Sequence, residues 1–319
     1  MTPRLTALLL TTVLVAAGCG GDSGDGDTLR IYTSVTQDTV DAVVAGFQAG
    51  NPDVEVEVFR APTGEINARI AAEQREGGVR ADVLWLTDPL SMQAYDAAGS
   101  LRAFEPAGAE ALPEAFRTGT FWATRVLNMV IVHDPDLDPA PAEWWDLVDA
   151  AAAGGVAFPD PGFAGSAFAA MAYFLLTDDY GVEYLQALHD AGAVQVGTPG
   201  DVVAGVAEGQ FAAGITLDFS ARGAVEKGSP IVRVWPEPGA ISLYSPIAVW
   251  GASDSPAAQA FVEHVLGNEA QLAIAATGWE PARTGVPWPH DGPRLTLDWT
   301  SAFDRQEELL DAYRAIFGG

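Results

Sequence analysis

The segment "LRIYTSVTQDTVDAVVAGF", residues 29–47, joins a strand pattern directly to a helix pattern. Leu29 and Ile31 alternate with their neighbours, which is the two-residue period of a strand with one buried face. Apolar residues then recur with the spacing of one helical face, at Val40, Val43, Val44 and Phe47. A strand followed at once by an amphipathic helix is the building unit of a parallel sheet, because parallel strands need a crossover connection.

The same unit occurs twice more in the next fifty residues. "VEVEVF" (54–59) and "ADVLWL" (81–86) are typical of strands, and the second has the continuous apolar character of a strand covered on both faces. Two helical patterns follow them, "EINARIAAEQREGG" (65–78) and "PLSMQAYDAAGSL" (89–101). The order β-α-β-α-β-α predicts an α/β fold with a central, mostly parallel sheet flanked by helices.

The chain of 319 residues is long enough for two cores, so we expect two lobes. A long strand pattern, "RVLNMVIVHDP" (125–135), leaves the first lobe, and strand and helix patterns then alternate again. The predicted divisions are 29–104 plus 246–284 for lobe 1, 105–245 for lobe 2, and 285–319 for a C-terminal helical segment.

The amino terminus predicts an exported lipoprotein. Residues 1–18 combine Arg4 with an apolar run and small residues, which is typical of a signal peptide. Their end resembles a bacterial lipobox, so Cys19, the only cysteine, is predicted to carry a lipid. Residues 19–28 are rich in Gly, Ser and Asp and predict a flexible tether. We therefore expect an extracytoplasmic protein that is anchored to the cell membrane.

The net charge of −27 restricts the classes of partner. Nucleic acid would be repelled by such a chain and is not expected as a partner. The four histidines lack metal-ligand spacing, and no G-x-S-x-G, H-E-x-x-H, P-loop or dinucleotide-binding glycine motif is present. These features favour a binding protein without a cofactor over an enzyme.

The order of segments is similar to the type 2 periplasmic-binding-protein fold, specifically the solute-binding proteins of ABC importers that bind ferric iron, phosphonates, sugar phosphates or polyamines. The resemblance covers nearly the whole chain after the signal peptide. It is carried by "IYTSV", "TGEINARIAAE", "ADVLWLTDP", "PDPGFAGSAF", "EGQFAAGITLD", "KGSPIVRVWPEPG", "SPIAVW" and "TGWEPAR".

This resemblance implies two lobes that are joined by two hinge strands, near Thr124–Val132 and Leu243–Val249, and that close on a ligand. It also implies an ABC permease and ATPase as partners, a monomeric binding protein and no catalysis.

Loop residues that follow the strands are candidate ligand contacts. In open parallel sheets, the carboxyl ends of the strands and the helix N-termini after them face one crevice. Lobe 1 offers Thr33, Ser34, Thr63, Glu65, Thr87 and Asp88. Lobe 2 offers Gly165, Ser166, Ala167, Thr198 and Asp218, and Tyr244 lies on the second hinge segment.

The segment "PDPGFAGSAF" (159–168) has two interpretations. A bare helix N-terminus exposes unpaired N–H groups and partial positive charge, so Gly165 to Ala167 could hold a phosphate or carboxylate. Alternatively, Ser166 or Asp160 caps the helix. The matching segment of the family is an anion site, and this resemblance favours the first interpretation.

The preferred ligand is therefore a small organic anion, such as a phosphonate, a sugar phosphate or a related phosphate ester. The helix start at Gly165 would bind it together with the hydroxyls of Thr33, Ser34 and Thr63. Asp218 would accept hydrogen bonds from the uncharged or cationic end of the ligand, unless this residue only caps the helix that follows it.

Ferric iron as the transported ligand is the alternative. Ferric binders of this group hold the metal with an adjacent pair of tyrosines, and the matching positions here are Asp218 and Phe219. Glu65 matches a glutamate of the family, whereas Thr36 stands in the place of a histidine. An oxygen-rich site with a synergistic anion at Ser166 could still be formed by Glu65, Asp88, Asp218 and Tyr244.

Two further functions remain open at this point. A secreted lipoprotein hydrolase would use Asp88 and Asp218 as acid and base, and a sensor would present its bound ligand to a receptor kinase. Trp279 and Arg283, in "GWEPAR", either wall the cleft or belong to the packing of the lobe.

Overall fold

The computed structural model describes residues 28–289 and 292–318. The predicted signal peptide, Cys19 and nearly all of the predicted tether lie outside these residues. The strands are β1 (Thr28–Thr33), β2 (Glu55–Arg60), β3 (Val83–Trp85), β4 (Phe121–His133), β5 (Val156–Pro159), β6 (Val194–Val196), β7 (Ala213–Leu217), β8 (Val232–Val234), β9 (Ala240–Val249), β10 (Glu280–Pro281) and β11 (Arg294–Thr296).

Helices follow most of the strands, as the sequence predicts. They are α1 (Gln37–Gly50), α2 (Thr63–Glu76), α3 (Pro89–Ala97), α4 (Asp146–Gly154), α5 (Gly165–Leu176), α6 (Gly181–Asp190), α7 (Pro199–Ala207), α8 (Asp218–Glu226), α9 (Pro256–Leu266), α10 (Asn268–Ala276), α11 (Trp299–Asp304) and α12 (Gln306–Phe317). None of the helices in the described ranges combines the length and apolar character needed to cross a bilayer.

The described strands form one sheet with the order β2-β1-β3-β9-β4-β7-β5-β6. Strands β1, β2 and β3 pair in parallel at one end, and β5, β6 and β7 pair in parallel at the other. The antiparallel pair β4 and β9 joins these two groups. We call the group at β1 lobe 1 and the group at β5 lobe 2, and the predicted α/β architecture with two connecting strands is confirmed.

The hinge strands, β4 and β9, run through both lobes and contain both predicted hinge segments. All thirteen residues of β4 are buried, because the strand has neighbours on both sides and packed layers on both faces. The predicted lobe boundary at residues 245 and 246 falls inside β9, since this strand belongs to both lobes.

The pairing of the hinge strands is irregular at one point. Ala123 is opposite Pro246 in β9. The next pair joins Arg125 to Ser245, which leaves Thr124 as an extra residue in β4. A bulge of this kind shifts the two-residue alternation of a strand by one position, so the side chains beyond it point to the other face.

The C-terminal segment crosses behind the hinge strands. Strand β11 pairs in parallel with β9. Helix α11 contacts α3 of lobe 1, whereas α12 contacts α5 and α6 of lobe 2. The ring of Phe317 packs edge-on against Phe158, with the ring centroids 5.0 Å apart. The C-terminal segment thus touches both lobes.

Candidate functional site

A cavity of about 420 Å³ lies where the carboxyl ends of the strands of the two lobes meet. Helices α1, α2, α3, α5, α7 and α8 all begin beside it, as expected at the carboxyl edge of a parallel sheet. We call it the interlobe cavity; its lining residues are Ser34, Thr36, Arg60, Ala61, Pro62, Thr63, Thr87, Arg125, Leu127, Phe163, Ala164, Gly165, Ser166, Thr198, Pro199, Gly200, Leu217, Phe219, Ser220 and Trp279. This volume is in the range of small-molecule sites.

Three predicted residues of lobe 1 form a hydroxyl triangle in this lining. The Thr63 hydroxyl donates to Ser34 Oγ over 3.0 Å, and the Ser34 hydroxyl donates to Thr87 Oγ1 over 3.1 Å. Thr63 Oγ1 and Thr87 Oγ1 are 3.2 Å apart. Each hydroxyl comes from a different strand-to-helix loop, so the triangle can form only when the parallel sheet aligns the ends of β1, β2 and β3.

Gly165 and Ser166 bring the N-terminus of α5 into the lining. The N-cap residue is Ala164, and no side chain caps this helix. Ser166 lies inside the first turn, and the Asp160 carboxylate accepts from the backbone N–H of Gly162 over 2.7 Å. Neither of the two proposed caps is therefore used, and the first turn keeps N–H groups for a ligand. Ala167 is buried behind this turn and does not line the cavity.

Thr198 lines the cavity but is already engaged by its own helix. It forms a capping box with Asp201 at the start of α7. Its hydroxyl donates to Asp201 Oδ2 over 2.9 Å and accepts from the Asp201 backbone N–H over 3.2 Å. Helix α7 is consequently a capped N-terminus, in contrast to α5.

Two other candidates of lobe 1 do not reach the cavity. Thr33 is fully buried, and its hydroxyl donates to the Trp85 carbonyl over 2.7 Å while accepting from the Val35 N–H over 3.1 Å. Glu65 is exposed in the first turn of α2 and is outside the lining. Thr33 therefore orders the loop after β1, and Glu65 faces solvent.

Asp218 is held by two ion pairs at the start of α8. Its Oδ2 accepts from Arg222 Nε over 2.8 Å, and its Oδ1 accepts from Arg233 Nη1. The residue is buried and lies outside the lining, although the adjacent Phe219 and Ser220 belong to it. Both oxygens of the Asp218 carboxylate thus accept hydrogen bonds from arginines, and the carboxylate does not line the cavity.

Asp88 is buried between the two lobes. Its Oδ1 accepts from the Ser91 N–H over 2.8 Å and caps α3, whereas its Oδ2 has no hydrogen-bond partner among the described residues. Burial raises the pKa of the Asp88 carboxyl, and the hydrogen bonds from the backbone at Ser91 and Leu90 only partly oppose this shift. A Cβ atom placed on Gly165 would be 2.6 Å from Asp88 Oδ2, so the first turn of α5 packs directly on this carboxyl.

Tyr244 lies on the opposite face of the hinge strands. It is paired with Val126, whereas Arg125 and Leu127 on either side of Val126 point into the interlobe cavity. The Tyr244 ring packs against Phe116 and lines a second cavity of about 550 Å³ behind the hinge. Burial raises the pKa of its phenol far above the ordinary value. Tyr244 and the residues at the interlobe cavity thus cannot contact one ligand.

Arg125 is the most informative residue of the site, and it was not among the sequence-based candidates. Its side chain is almost fully buried, lines the interlobe cavity and has no salt bridge or side-chain hydrogen bond within residues 28–289 and 292–318. The bulge at Thr124 directs it to this face. Burial, and secondarily the charge of Arg60, lowers the pKa of Arg125 to about 9, so the guanidinium remains charged at pH 7.

Two aromatic rings support the Arg125 guanidinium. The Arg125 Cζ atom lies 4.0 Å from the centroid of the Trp279 ring, a cation–π contact. The Trp279 ring stacks in turn on Phe219 of lobe 2, with the centroids 4.0 Å apart and an interplanar angle of 9°. Trp279 thus walls the cavity, while Arg283 donates to the Leu266 carbonyl over 2.9 Å and packs within the fold.

The charge of the lining is entirely positive. Arg60 and Arg125 are its only ionisable members among the described residues, and the lining contains no Asp, Glu, His or Tyr. Arg60 is exposed, and its Nε donates to the Val35 carbonyl over 2.7 Å. A cationic cavity in a chain of net charge −27 can bind an anion and gives a metal cation no anionic ligand.

Residues 29–280 of the chain match the family model described as "Bacterial extracellular solute-binding protein". Comparison with curated proteins gives no match.

Solved structures share the fold at low sequence identity. The periplasmic binding protein AfuA from Actinobacillus pleuropneumoniae, with exogenous fructose-6-phosphate bound, has a TM-score of 0.80 at 20% identity over 91% of this chain and 98% of that chain. Iron-bound HitA from Pseudomonas aeruginosa has a TM-score of 0.78 at 22% identity over 91% and 99%. Apo ferric ion-binding protein A from Pasteurella haemolytica has a TM-score of 0.77 at 18% identity over 91% and 98%. These likenesses confirm the predicted two-lobed periplasmic-binding-protein fold.

Proposed function

The chain belongs to the family of bacterial extracellular solute-binding proteins, and from this membership we propose that it captures a small organic anion between its lobes and delivers it to the permease of an ABC importer. The ligand class that we propose is a phosphonate, a sugar phosphate or a related phosphate ester. Solute binding requires no catalytic step, and neither carboxylate of the hydrolase alternative, Asp88 or Asp218, lines the interlobe cavity.

One observation supports the anion most strongly, namely the buried and unpaired guanidinium of Arg125. Leaving a buried charge without a partner is unfavourable, so such groups occur mainly where a ligand completes them. Arg60 and the uncapped N-terminus of α5 lie in the same lining and add further positive potential. A phosphoryl or phosphonyl group would accept hydrogen bonds from all three.

The ferric alternative has less support from the same site. A hard trivalent cation needs carboxylate or phenolate oxygens, and the described part of the lining has none. The four residues considered for iron are dispersed. Glu65 is exposed, Asp88 is buried outside the lining, Asp218 is bound to two arginines, and Tyr244 lies behind the hinge. No group of three or more potential metal-binding side chains occurs within residues 28–289 and 292–318.

The family places the protein outside the cytoplasm. We propose that a lipid on Cys19 holds it at the membrane. Growth with a labelled fatty acid should mark the wild-type protein, and Cys19→Ser should abolish the mark; unchanged labelling of the variant would exclude the anchor.

Ligand screening by thermal unfolding tests the anion proposal. Phosphonates, sugar phosphates, polyamines and ferric citrate would each be added to the purified chain, and a ligand at a hundredfold its Kd should stabilise it by about 2.7 kcal/mol. We expect stabilisation by an organic anion, which Arg125→Gln should remove. Arg75→Gln is the matched control, since Arg75 is exposed and donates only to the Ala71 carbonyl of its own helix. Stabilisation by ferric citrate or polyamines alone would refute the proposal.

A further inference from the structure

The interlobe cavity contains no negative charge that could pair with a cationic group on the ligand. Asp88 and Asp218 lie outside the lining, and so does Asp201, whose carboxylate accepts from the lining hydroxyl of Thr198 within the capping box of α7. The Asp88 carboxyl is buried against α5, and Asp218 is neutralised by two arginines. An ammonium group in this cavity would be desolvated beside Arg125 without a counter-charge, which is unfavourable. Amines, amino acids and aminophosphonates therefore fit the cavity poorly.

The lining also offers few acceptors for the hydroxyls of a sugar. Among its described members there is no carboxylate, side-chain amide or imidazole, so its side-chain acceptors are all hydroxyls. Five hydroxyls already bond to protein groups: Ser34, Thr36, Thr63, Thr87 and Thr198.

The other two hydroxyls of this lining, those of Ser166 and Ser220, make no such bond within the described residues. The backbone groups at the helix starts are N–H donors, which suit an anion and not the O–H of a sugar. The hydroxyls of a polyol would therefore have to share acceptors that mostly bond to the protein already, which favours a ligand with few hydrogen-bond donors.

The remaining side chains of the cavity lining are apolar. Leu127 comes from the middle of β4, Leu217 from the end of β7, and Phe163 from the loop before α5. The stack of Trp279 on Phe219 forms a further wall. The part of a ligand that lies away from Arg125 would thus contact aliphatic and aromatic carbon, which favours an apolar body.

We propose that the ligand is an organic anion whose body is apolar, with neither an ammonium group nor a series of hydroxyls. A short alkyl or aryl group on a phosphonate or phosphate monoester has this chemistry. The anionic head meets Arg125, Arg60 and the start of α5, and the apolar body meets the wall formed by Phe163, Leu217 and Phe219. This inference rests on the proposed function, because it assumes that the interlobe cavity binds an anion.

Isothermal titration with ligands that share one type of anionic head tests the inference. The probes are n-butylphosphonate, phenylphosphonate, 2-aminoethylphosphonate and fructose 6-phosphate, each titrated into the purified full chain. We expect at least one of the two apolar phosphonates to bind tenfold or more tightly than both 2-aminoethylphosphonate and fructose 6-phosphate.

Ser220→Asp adds a second readout, because residue 220 is half-buried in the lining and the change supplies the missing negative charge. The Kd ratio of n-butylphosphonate to 2-aminoethylphosphonate should rise at least tenfold, in favour of the amine, relative to Ser220→Asn, which is the uncharged control. An unchanged ratio would mean that the absent carboxylate does not set the preference and would overturn the inference.

These measurements distinguish failure of the anion proposal from failure of the apolar-body inference. Tighter binding of fructose 6-phosphate or 2-aminoethylphosphonate by the wild-type chain would overturn the apolar body while leaving the anion in place. Binding of none of the four probes, or equal binding by Arg125→Gln, would overturn the anion proposal and this inference with it.

Discussion

The unpaired guanidinium of Arg125 destabilises the unliganded protein. Burial removes its hydration, and its contact with the Trp279 ring returns only about 2 kcal/mol. A bound anion would supply the missing partner, so the unfavourable contribution belongs to the empty cavity. Residues that serve ligand binding commonly lower stability in this way.

Arg125→Met should therefore separate stability from binding. The methionine side chain has most of the volume of arginine and keeps the contact with the Trp279 ring. It carries no charge that burial would desolvate. We expect the unliganded variant to gain about 1–2 kcal/mol in unfolding free energy and to lose ligand-induced stabilisation. Urea unfolding with and without ligand measures both effects, and a variant that is less stable than wild type would contradict this view of Arg125.

Asp218 has a structural role by the same reasoning. Asp218→Asn leaves Arg222 and Arg233 without the carboxylate that they share. Since hydrogen bonds to charged groups contribute more than neutral ones, we expect a loss of about 2 kcal/mol in unfolding free energy. The Kd of the ligand should change less than twofold, because Asp218 does not line the cavity. If Asp218→Asn instead weakened ligand binding strongly and left the stability unchanged, Asp218 would contact the ligand, as the sequence predicts.

Arg125 and Asp218 show how much of the site can be predicted from single residues of the sequence. Arg125 is the only charged residue in the apolar stretch from Phe121 to Val132, and a charge in a strand buried on both faces is a recognisable signal of function. Asp218 was singled out because it follows a strand, which is correct for its position. Its partners could not be foreseen, since Arg233 lies fifteen residues further along the chain.

The N-terminus of helix α3 is capped by a buried carboxyl group. Asp88 caps this helix, and its raised pKa means that the folded state favours the protonated form. Its contribution to stability is therefore complete below the ordinary pKa of 3.8 and is lost as the pH rises through the higher value of the folded state.

Asp88→Asn should remove this component of the pH dependence. Asparagine caps helices as well as aspartate does and carries no charge at any pH. Relative to wild type, we expect the unfolding free energy of the variant to improve as the pH rises above about 4. Urea titrations at several pH values measure the difference. A difference that is constant across this range would show that the Asp88 charge is not disfavoured by burial.

Most elements of the fold could be predicted because their patterns are local. The strand and helix periods of residues 29–101 give β1 to β3 and α1 to α3 in the observed order. The bulge at Thr124 has no local signature, since it arises from the pairing of β4 with a strand more than one hundred residues away. An unbroken alternation would place Arg125 on the wrong face of the hinge.

Closure of the two lobes depends on close backbone contacts between them. Gly165 of lobe 2 lies against Asp88 of lobe 1, and an added Cβ would be 2.6 Å from the Asp88 Cβ. Gly64 also faces the other lobe, but its added Cβ would be 3.5 Å from the Gly162 carbonyl oxygen, an ordinary contact distance.

Gly165→Ala should consequently hinder closure, and Gly64→Ala is its matched control. We expect Gly165→Ala to weaken ligand binding at least tenfold and Gly64→Ala to change it less than twofold. Small-angle scattering should show that ligand reduces the radius of gyration of the wild type and of Gly64→Ala, but less so that of Gly165→Ala. Equal contraction of all three proteins would mean that this contact does not limit closure.

The bulge in β4 has a consequence for the timing of ligand release. Arg125 lies next to the bulged residue on a strand that runs through both lobes, so we expect an anion bound to Arg125 to be attached to the hinge itself. Opening of the lobes would move the guanidinium away from the first turn of α5, so the anion would lose both contacts in one movement. Unloading would then need no separate trigger, and the residence time of the ligand would equal the lifetime of the closed form.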